Sequence, residues 1–185
     1  MIKKILTITG ASGVGKSTLE KRLLKHYGGG RVRTITTRPP RPGETDADYD
    51  FQTLESLAKR TDLLWNVPIH GHRYCVAMSE FDKASKETNG LVFVCITPER
   101  HEFLAERFED AGVQCIPIHL VHPGDEELAR RLKTRGEADD AIARRLADSV
   151  EFEKTATQVA NLHRIPPVSP EEVFQIVLRL IEATP

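Results

Sequence analysis

KILTITGASGVGKS, residues 4–17, decides the reading of this chain. Lys4 to Thr9 reads as a buried strand, and it passes directly into Gly10-Ala11-Ser12-Gly13-Val14-Gly15-Lys16-Ser17, which satisfies the spacing GxxxxGK[ST]. Beyond Ser17 the apolar residues Leu19, Leu23 and Leu24 predict a helix, so strand, glycine loop and helix follow one another without a break. Phosphate binding needs that order. Glycines let the backbone curl until several N–H groups point inward, and the helix adds the positive end of its dipole. Gly10 to Ser17, with Thr18, are therefore the predicted ATP contacts. In this cradle Lys16 neutralises the β- and γ-phosphates, and Ser17 offers its hydroxyl to Mg2+, an ion that takes oxygen ligands.

Working outward, Arg31 to Thr37 reads as β-rich and leads into the cationic loop Arg38-Pro39-Pro40-Arg41-Pro42-Gly43, where prolines forbid regular helix. A short helix is expected over Leu54 to Arg60, followed by two brief strands around His70-Gly71-His72 and a helix capped by Ser79. The apolar run Leu91 to Ile96 has the character of a parallel strand covered on both faces, and Thr97-Pro98 supplies an N-cap and an N1 proline for the next helix. Val113 to Val121 is a further strand, and Asp125 to Thr134 a helix. Asp139 to about Lys154 is a longer helix with Ile142, Leu146 and Val150 on one face. Ser169-Pro170-Glu171-Glu172 has the form of a capping box before the apolar positions Val173, Ile176, Val177 and Leu180. Strands alternating with helices predict an α/β fold with a parallel sheet flanked by helices.

The whole chain sets bounds on partners. It has 185 residues, 39% hydrophobic and 29% charged, which suits one domain with a sizeable core. Its net charge of −1 gives no support for general nucleic-acid or membrane binding, so any anion site is local. No apolar run has the length to cross a bilayer, and Met1 to Leu6 reads as the first strand rather than a cleavable leader. Cys75, Cys95 and Cys115, an odd number without CxxC spacing, fit reduced thiols in a cytoplasmic protein. His70-Gly71-His72 and His119-Leu120-Val121-His122 lack the cysteine or carboxylate spacing that completes a zinc site.

A glycine loop of this kind serves kinases, GTPases and motor ATPases alike. No Asn-Lys-x-Asp guanine-reading motif of GTPases is present. The loop, the segment Thr34-Ile35-Thr36-Thr37-Arg38-Pro39-Pro40-Arg41-Pro42-Gly43-Glu44 with Asp48-Tyr49-Asp50-Phe51, and Arg131-Leu132-Lys133-Thr134-Arg135-Gly136 with Arg144-Arg145-Leu146 together resemble guanylate kinase, in order along most of the chain. The resemblance implies a P-loop NTPase fold with a core of residues 1–33 and 89–185, an acceptor-binding insert at about 34–88 and a short lid at about 131–145. It also implies that Arg38, Arg41, Tyr49 and Tyr74 hold the phosphate of a small acceptor, that Thr34 stands where the family has a serine, and that Arg131, Arg135 and Arg145 are lid cations. Lys16 and Arg38 complete the expected catalytic set, and guanidinium forks suit phosphate oxygens.

The same comparison of motifs sets Trp65, Val76, Cys95 and Thr97 where the family carries the polar groups of its guanine pocket. Three acceptor classes stay open on these residues: a nucleoside monophosphate, with GMP itself in question; ribose 1,5-bisphosphate, whose kinase also has valine after Tyr-Gly, as in Tyr74-Cys75-Val76; and a hydroxymethylated pyrimidine nucleotide, which would bring nucleic-acid metabolism into view. Asn66 and Glu99 are neighbours that would serve as substitutes for the missing acids under a shifted alignment. A peptide-binding module of guanylate-kinase type is the non-enzymatic alternative, opposed by the presence of Lys16, Ser17 and the lid arginines.

Overall fold

The computed structural model describes every residue except Pro42, His70 and Pro185. In chain order its first elements are β1 (Lys4–Thr9), α1 (Lys16–Tyr27), β2 (Ile35–Thr36), β3 (Asp50–Phe51), α2 (Leu54–Ala58), β4 (Leu63–Ile69) and β5 (His72–Ala77). There follow α3 (Met78–Lys86), β6 (Leu91–Cys95), α4 (Arg100–Glu109), β7 (Gln114–Leu120), α5 (Asp125–Thr134), α6 (Asp139–Gln158), β8 (His163–Ile165) and α7 (Pro170–Ala183). No described helix is long and apolar enough to cross a membrane.

Two sheets divide the work. The order β6-β1-β7-β8 forms a sheet whose three pairings are all parallel, as the unbroken apolar run of β6 requires. One face of it packs Leu6, Ile8, Phe93, Ile116 and Ile118 against Leu19 and Leu23 of α1 and Phe174, Val177 and Ile181 of α7. The other face sets Ile5, Val92 and Val94 against Phe81 of α3 and Leu104 and Phe108 of α4. Helices on both faces of a parallel sheet place the glycine loop at the carboxyl end of its central strand, where the chain turns from β1 into α1.

The second sheet, β3-β2-β5-β4, is mixed: β2 runs parallel to β3, while β5 is antiparallel to both β2 and β4. Periodicity in Arg31 to Thr37 promises a longer strand than the two residues of β2. The difference arises because this stretch serves both sheets. Arg31 bridges to Phe93 at the edge of the parallel sheet, and the chain then crosses to pair Ile35 with Cys75.

Several caps fall elsewhere than local reading places them. Ser79 lies in the first turn of α3 and accepts from Arg60 Nη2 (3.0 Å) rather than capping; Ala77 is the N-cap. Thr97 binds Glu99 Oε1 through its hydroxyl (2.7 Å), and α4 begins only after the turn in which Arg100 and His101 amides reach the Thr97 and Pro98 carbonyls. Val150 is exposed at 67%, because the buried face of α6 runs through Ile142, Ser149 and Ala156 and Val150 lies one residue off it; Ile142 is buried with Leu128 and Leu132, and Leu146 packs alongside. The capping box at Ser169 and Glu172 forms as its spacing predicts.

Candidate active site

The glycine loop owes its course to three positive φ values, +139° at Gly10, +96° at Gly13 and +117° at Gly15. A Cβ at Gly13 would meet Leu128 Cδ1 of α5 at 2.7 Å, whereas one at Gly15 would meet nothing within 4 Å. One flank of the loop is therefore packed against α5 and the other is open, a shape that fits a phosphate chain approached by backbone amides. Lys16 Nζ lies over the loop, donating to the carbonyls of Gly10 (2.6 Å) and Ala11 (2.8 Å). Burial lowers its pKa, the cations Arg135 and Arg145 press the same way, and Glu20 one turn along α1 opposes them. Ser17 and Thr18 are exposed at the start of α1, so the Ser17 hydroxyl fits a hard cation shared with phosphate oxygens.

Two of the three arginines expected as lid cations reach back to this loop. Arg145 Nη1 donates to Ser12 Oγ at 2.7 Å, and Arg131 Nη1 to the Val14 carbonyl at 3.4 Å. Each is held by a carboxylate: Arg131 by Glu127 (2.7 Å) and Arg145 by Glu137. Arg135 caps α5 and is exposed, close enough to Lys16 to act on its charge. The bonds to Glu127 and Arg130's share of them hold the Glu127 carboxyl down to about 2, so it stays ionised beside Arg131.

Arg38 centres a second cationic group. It is 8% exposed, forks onto Glu44 with Nη1–Oε2 at 2.8 Å and Nη2–Oε1 at 3.1 Å, and donates from Nε to the Tyr74 hydroxyl at 3.2 Å. The rings of Tyr49 and Phe51 lie 5.2 Å and 5.7 Å from its Cζ. Burial works against the Arg38 charge, yet the bonds to Glu44 and Tyr74 raise its pKa overall. Arg41 is partly exposed and joins through Glu44, which accepts from its amide (2.8 Å) and stands 3.9 Å from its Nη1. Burial pushes the Tyr49 phenol up to about 12, and the acidic side chains of Cys95 and Glu20 add to the effect. Tyr49 thus remains a hydrogen-bond donor. Thr34 is half-buried, its carbonyl accepting from the Asp50 amide (3.0 Å).

A model of the guanylate kinase family matches residues 2–161. The chain belongs to the guanylate kinase family. A guanylate kinase of Chlamydia felis is 34% identical over 147 residues, covering 76% of this chain and 69% of that protein. One of Thermus thermophilus is 29% identical over 177 residues, covering 93% and 76% respectively. Among solved structures, the guanylate kinase from Anaplasma phagocytophilum superposes with a TM-score of 0.72 at 20% identity, covering 98% of this chain and 86% of that one. The shared architecture is that of a P-loop NTPase, a parallel sheet flanked by helices.

Of the four residues expected at the base pocket, Trp65 and Val76 are apolar and buried. Trp65 and Val76 are cross-strand partners on β4 and β5, 9% and 1% exposed, and both belong to the cluster that contains Val32, Phe81, Ile96 and Leu104. Phe103 stands edge-on to the indole, with ring centroids 6.0 Å apart. Asn66 points from the opposite face of β4 and is exposed, as strand alternation dictates. Glu99 is exposed and engaged with Thr97. Cys95, at the end of β6, is a thiol whose pKa is raised well above the usual value by burial and by Glu20.

Sequence reasoning missed the carboxylates. Glu20, Glu44, Glu127 and Glu137 pair with Arg31, Arg38, Arg131 and Arg145, and the i, i+4 spacing of Glu127 with Arg131 was a signal available beforehand. The pair His70 and His72 falls partly outside the described residues. His119 binds Thr9 and Glu153, and His122 Nδ1 accepts from the Gly124 amide, so both rings have protein partners.

Proposed function

We propose that the chain transfers the γ-phosphoryl group of ATP to a nucleoside monophosphate, with GMP itself in question, and that the acceptor's phosphate is received by Arg38, Arg41, Tyr49 and Tyr74. As a member of the guanylate kinase family it is a phosphotransferase that converts ATP and a nucleoside monophosphate into ADP and a nucleoside diphosphate. The observation that carries the site assignment is the buried Arg38, gripped by Glu44 and Tyr74 and flanked by two aromatic rings. Its fork is thereby oriented before any ligand arrives, which reduces the entropy lost on binding.

On the donor side Lys16 and the loop amides receive the β- and γ-phosphates, and Arg131, Arg135 and Arg145 take the charge that spreads over the transferring group. Ser17 would hold Mg2+, which supplies further charge neutralisation when bound with ATP. The attacking phosphate oxygen needs no protein base. The division into core (1–33 and 89–185), insert (about 34–88) and lid (about 131–145) belongs to the same proposal.

What counts against guanine is that Trp65 and Val76, which the resemblance sets at base-reading positions, are apolar and belong to a buried cluster. A guanine edge set against apolar side chains leaves donors and acceptors unpaired, and sites lacking a needed hydrogen-bond partner discriminate by orders of magnitude. The test is incubation with ATP, Mg2+ and a panel of nucleoside monophosphates, hydroxymethylated pyrimidine nucleotides and ribose 1,5-bisphosphate, read by product mass. A nucleoside monophosphate should gain one phosphate, and Lys16→Ala should lower turnover by roughly 10²- to 10³-fold, the cost of deleting one group that stabilises transition-state charge. Efficient turnover of GMP would remove the doubt about guanine and show that Trp65 and Val76 do not read the base. Transfer to ribose 1,5-bisphosphate alone would replace the nucleotide reading.

A further inference from the structure

Tyr49 is delivered by a tight loop. The Asp48 amide donates to the Thr45 carbonyl (2.8 Å), and the Thr45 amide donates to Asp48 Oδ2 (3.0 Å). Such a turn sends carbonyls outward, and here three in succession are taken by two arginines. Arg33 Nη1 donates to the Asp46 carbonyl (2.8 Å), Arg31 Nη1 to that of Ala47 (3.0 Å), and Arg31 Nη2 to that of Asp48 (2.8 Å).

Both arginines are rooted in the core. Arg31 Nη2 lies 3.2 Å from Glu20 Oε2 on α1, and Arg33 Nε lies 3.1 Å from Glu80 Oε2 on α3. Glu20 is 3% exposed and Glu80 2%, so each carboxylate would be costly to leave unpaired, and each fixes its arginine. The Arg31 backbone is pinned as well, through its bridge to Phe93 and the Val32 amide on the Phe93 carbonyl (2.9 Å). The helix that carries Lys16 therefore continues, through Glu20 and Arg31, into the loop that ends at Tyr49.

We propose that Arg31 and Arg33 are positioning residues for acceptor binding, which grip the carbonyls of residues 46–48 and so set where Tyr49 presents its hydroxyl beside Arg38. The inference rests on the acceptor role proposed for Tyr49. A planar fork is needed for this grip, because one Arg31 guanidinium spans two adjacent carbonyls and a glutamate; an ammonium on a flexible stem supplies a charge without that geometry.

Arg31→Lys is the discriminating variant, since it keeps a cation for Glu20. Losing the bridging bonds should raise the acceptor KM about tenfold, the equivalent of one hydrogen bond of ~1.4 kcal/mol, with the ATP KM unchanged. In a Tyr49→Phe background the same change should cost much less, because the group being positioned is gone. Hydrogen exchange at the amides of residues 45–49 should accelerate, while α1 keeps its protection. Equal losses in the two backgrounds, or unaltered exchange in the loop, would overturn the inference. Should Arg31→Lys fail to fold, Arg33→Lys takes the same measurements. If the unmutated protein phosphorylates no acceptor, the kinase reading fails, and the exchange experiment still decides whether the arginines hold the loop.

Discussion

Replacing Arg38 with lysine probes the acceptor site most directly. The guanidinium makes two bonds to Glu44, at 2.8 Å and 3.1 Å, one to Tyr74 at 3.2 Å and one to the Pro39 carbonyl at 2.7 Å. A lysine ammonium retains a charge and at most one of the Glu44 bonds, and it loses the flat face that lies against Tyr49 and Phe51. These four bonds leave one of the five N–H donors, on Nη2, for an incoming phosphate, and losing that charge-assisted bond amounts to at most about 3 kcal/mol. That corresponds to a fall of up to roughly 10²-fold in kcat/KM for the acceptor. The donor site does not involve Arg38, so the ATP KM should stay within about twofold, because well-separated sites act independently. The assay is ADP release with acceptor varied at saturating ATP, accompanied by a thermal melt, since weakening the Glu44 pair should itself lower Tm by roughly 2–4 °C if it costs about 1 kcal/mol. A change in acceptor kcat/KM below threefold, in a variant that melts cooperatively, would refute the placement of the acceptor phosphate at Arg38.

Trp65→Ala should destabilise the fold by about 3–5 kcal/mol, because the indole is 9% exposed within an apolar cluster, and urea unfolding would measure it. His119 is fully buried between Thr9 Oγ1 (2.9 Å) and Glu153 Oε1 (2.7 Å), and burial lowers its pKa despite the bond that Glu153 accepts, with Arg164 and Lys16 adding to the effect. The unfolded chain, with its imidazole near pKa ~6.5, then binds the proton first, so stability should fall as pH drops from about 6.5 through the lower folded value, by at most ~1.4 kcal/mol per pH unit. In His119→Gln that part of the slope should vanish, as read from denaturant midpoints between pH 5 and 8. Ser169→Ala removes the side-chain half of the capping box, the Oγ that accepts from the Glu172 amide, and should cost about 1 kcal/mol, seen as a lower Tm.

The elements that local chemistry specifies were legible from the chain. The phosphate loop follows from glycine spacing between an apolar strand and a helix, α5 occupies Asp125–Thr134 as its pattern predicts, and Ser169 caps α7 through contacts three residues apart. Guanidiniums at Arg38, Arg131 and Arg145 were also identifiable by type and by order along the chain, because phosphate recognition restricts which side chains serve.

What held those guanidiniums was not legible. Arg145 meets Ser12 across 133 residues, Arg31 meets its carbonyls 16 and 17 residues on, and the burial of Trp65 depends on helices α3 and α4 that follow it in the chain. Secondary structure is written in contacts of three or four residues, whereas the depth of a side chain and the partner of a charge depend on which distant segments the fold brings together. The chain by itself determined a phosphate cradle and a supply of arginines. Only the tertiary structure decided which distant groups they meet, Ser12 for Arg145 and Glu20 for Arg31, and that Trp65 and Val76 are buried in one apolar cluster.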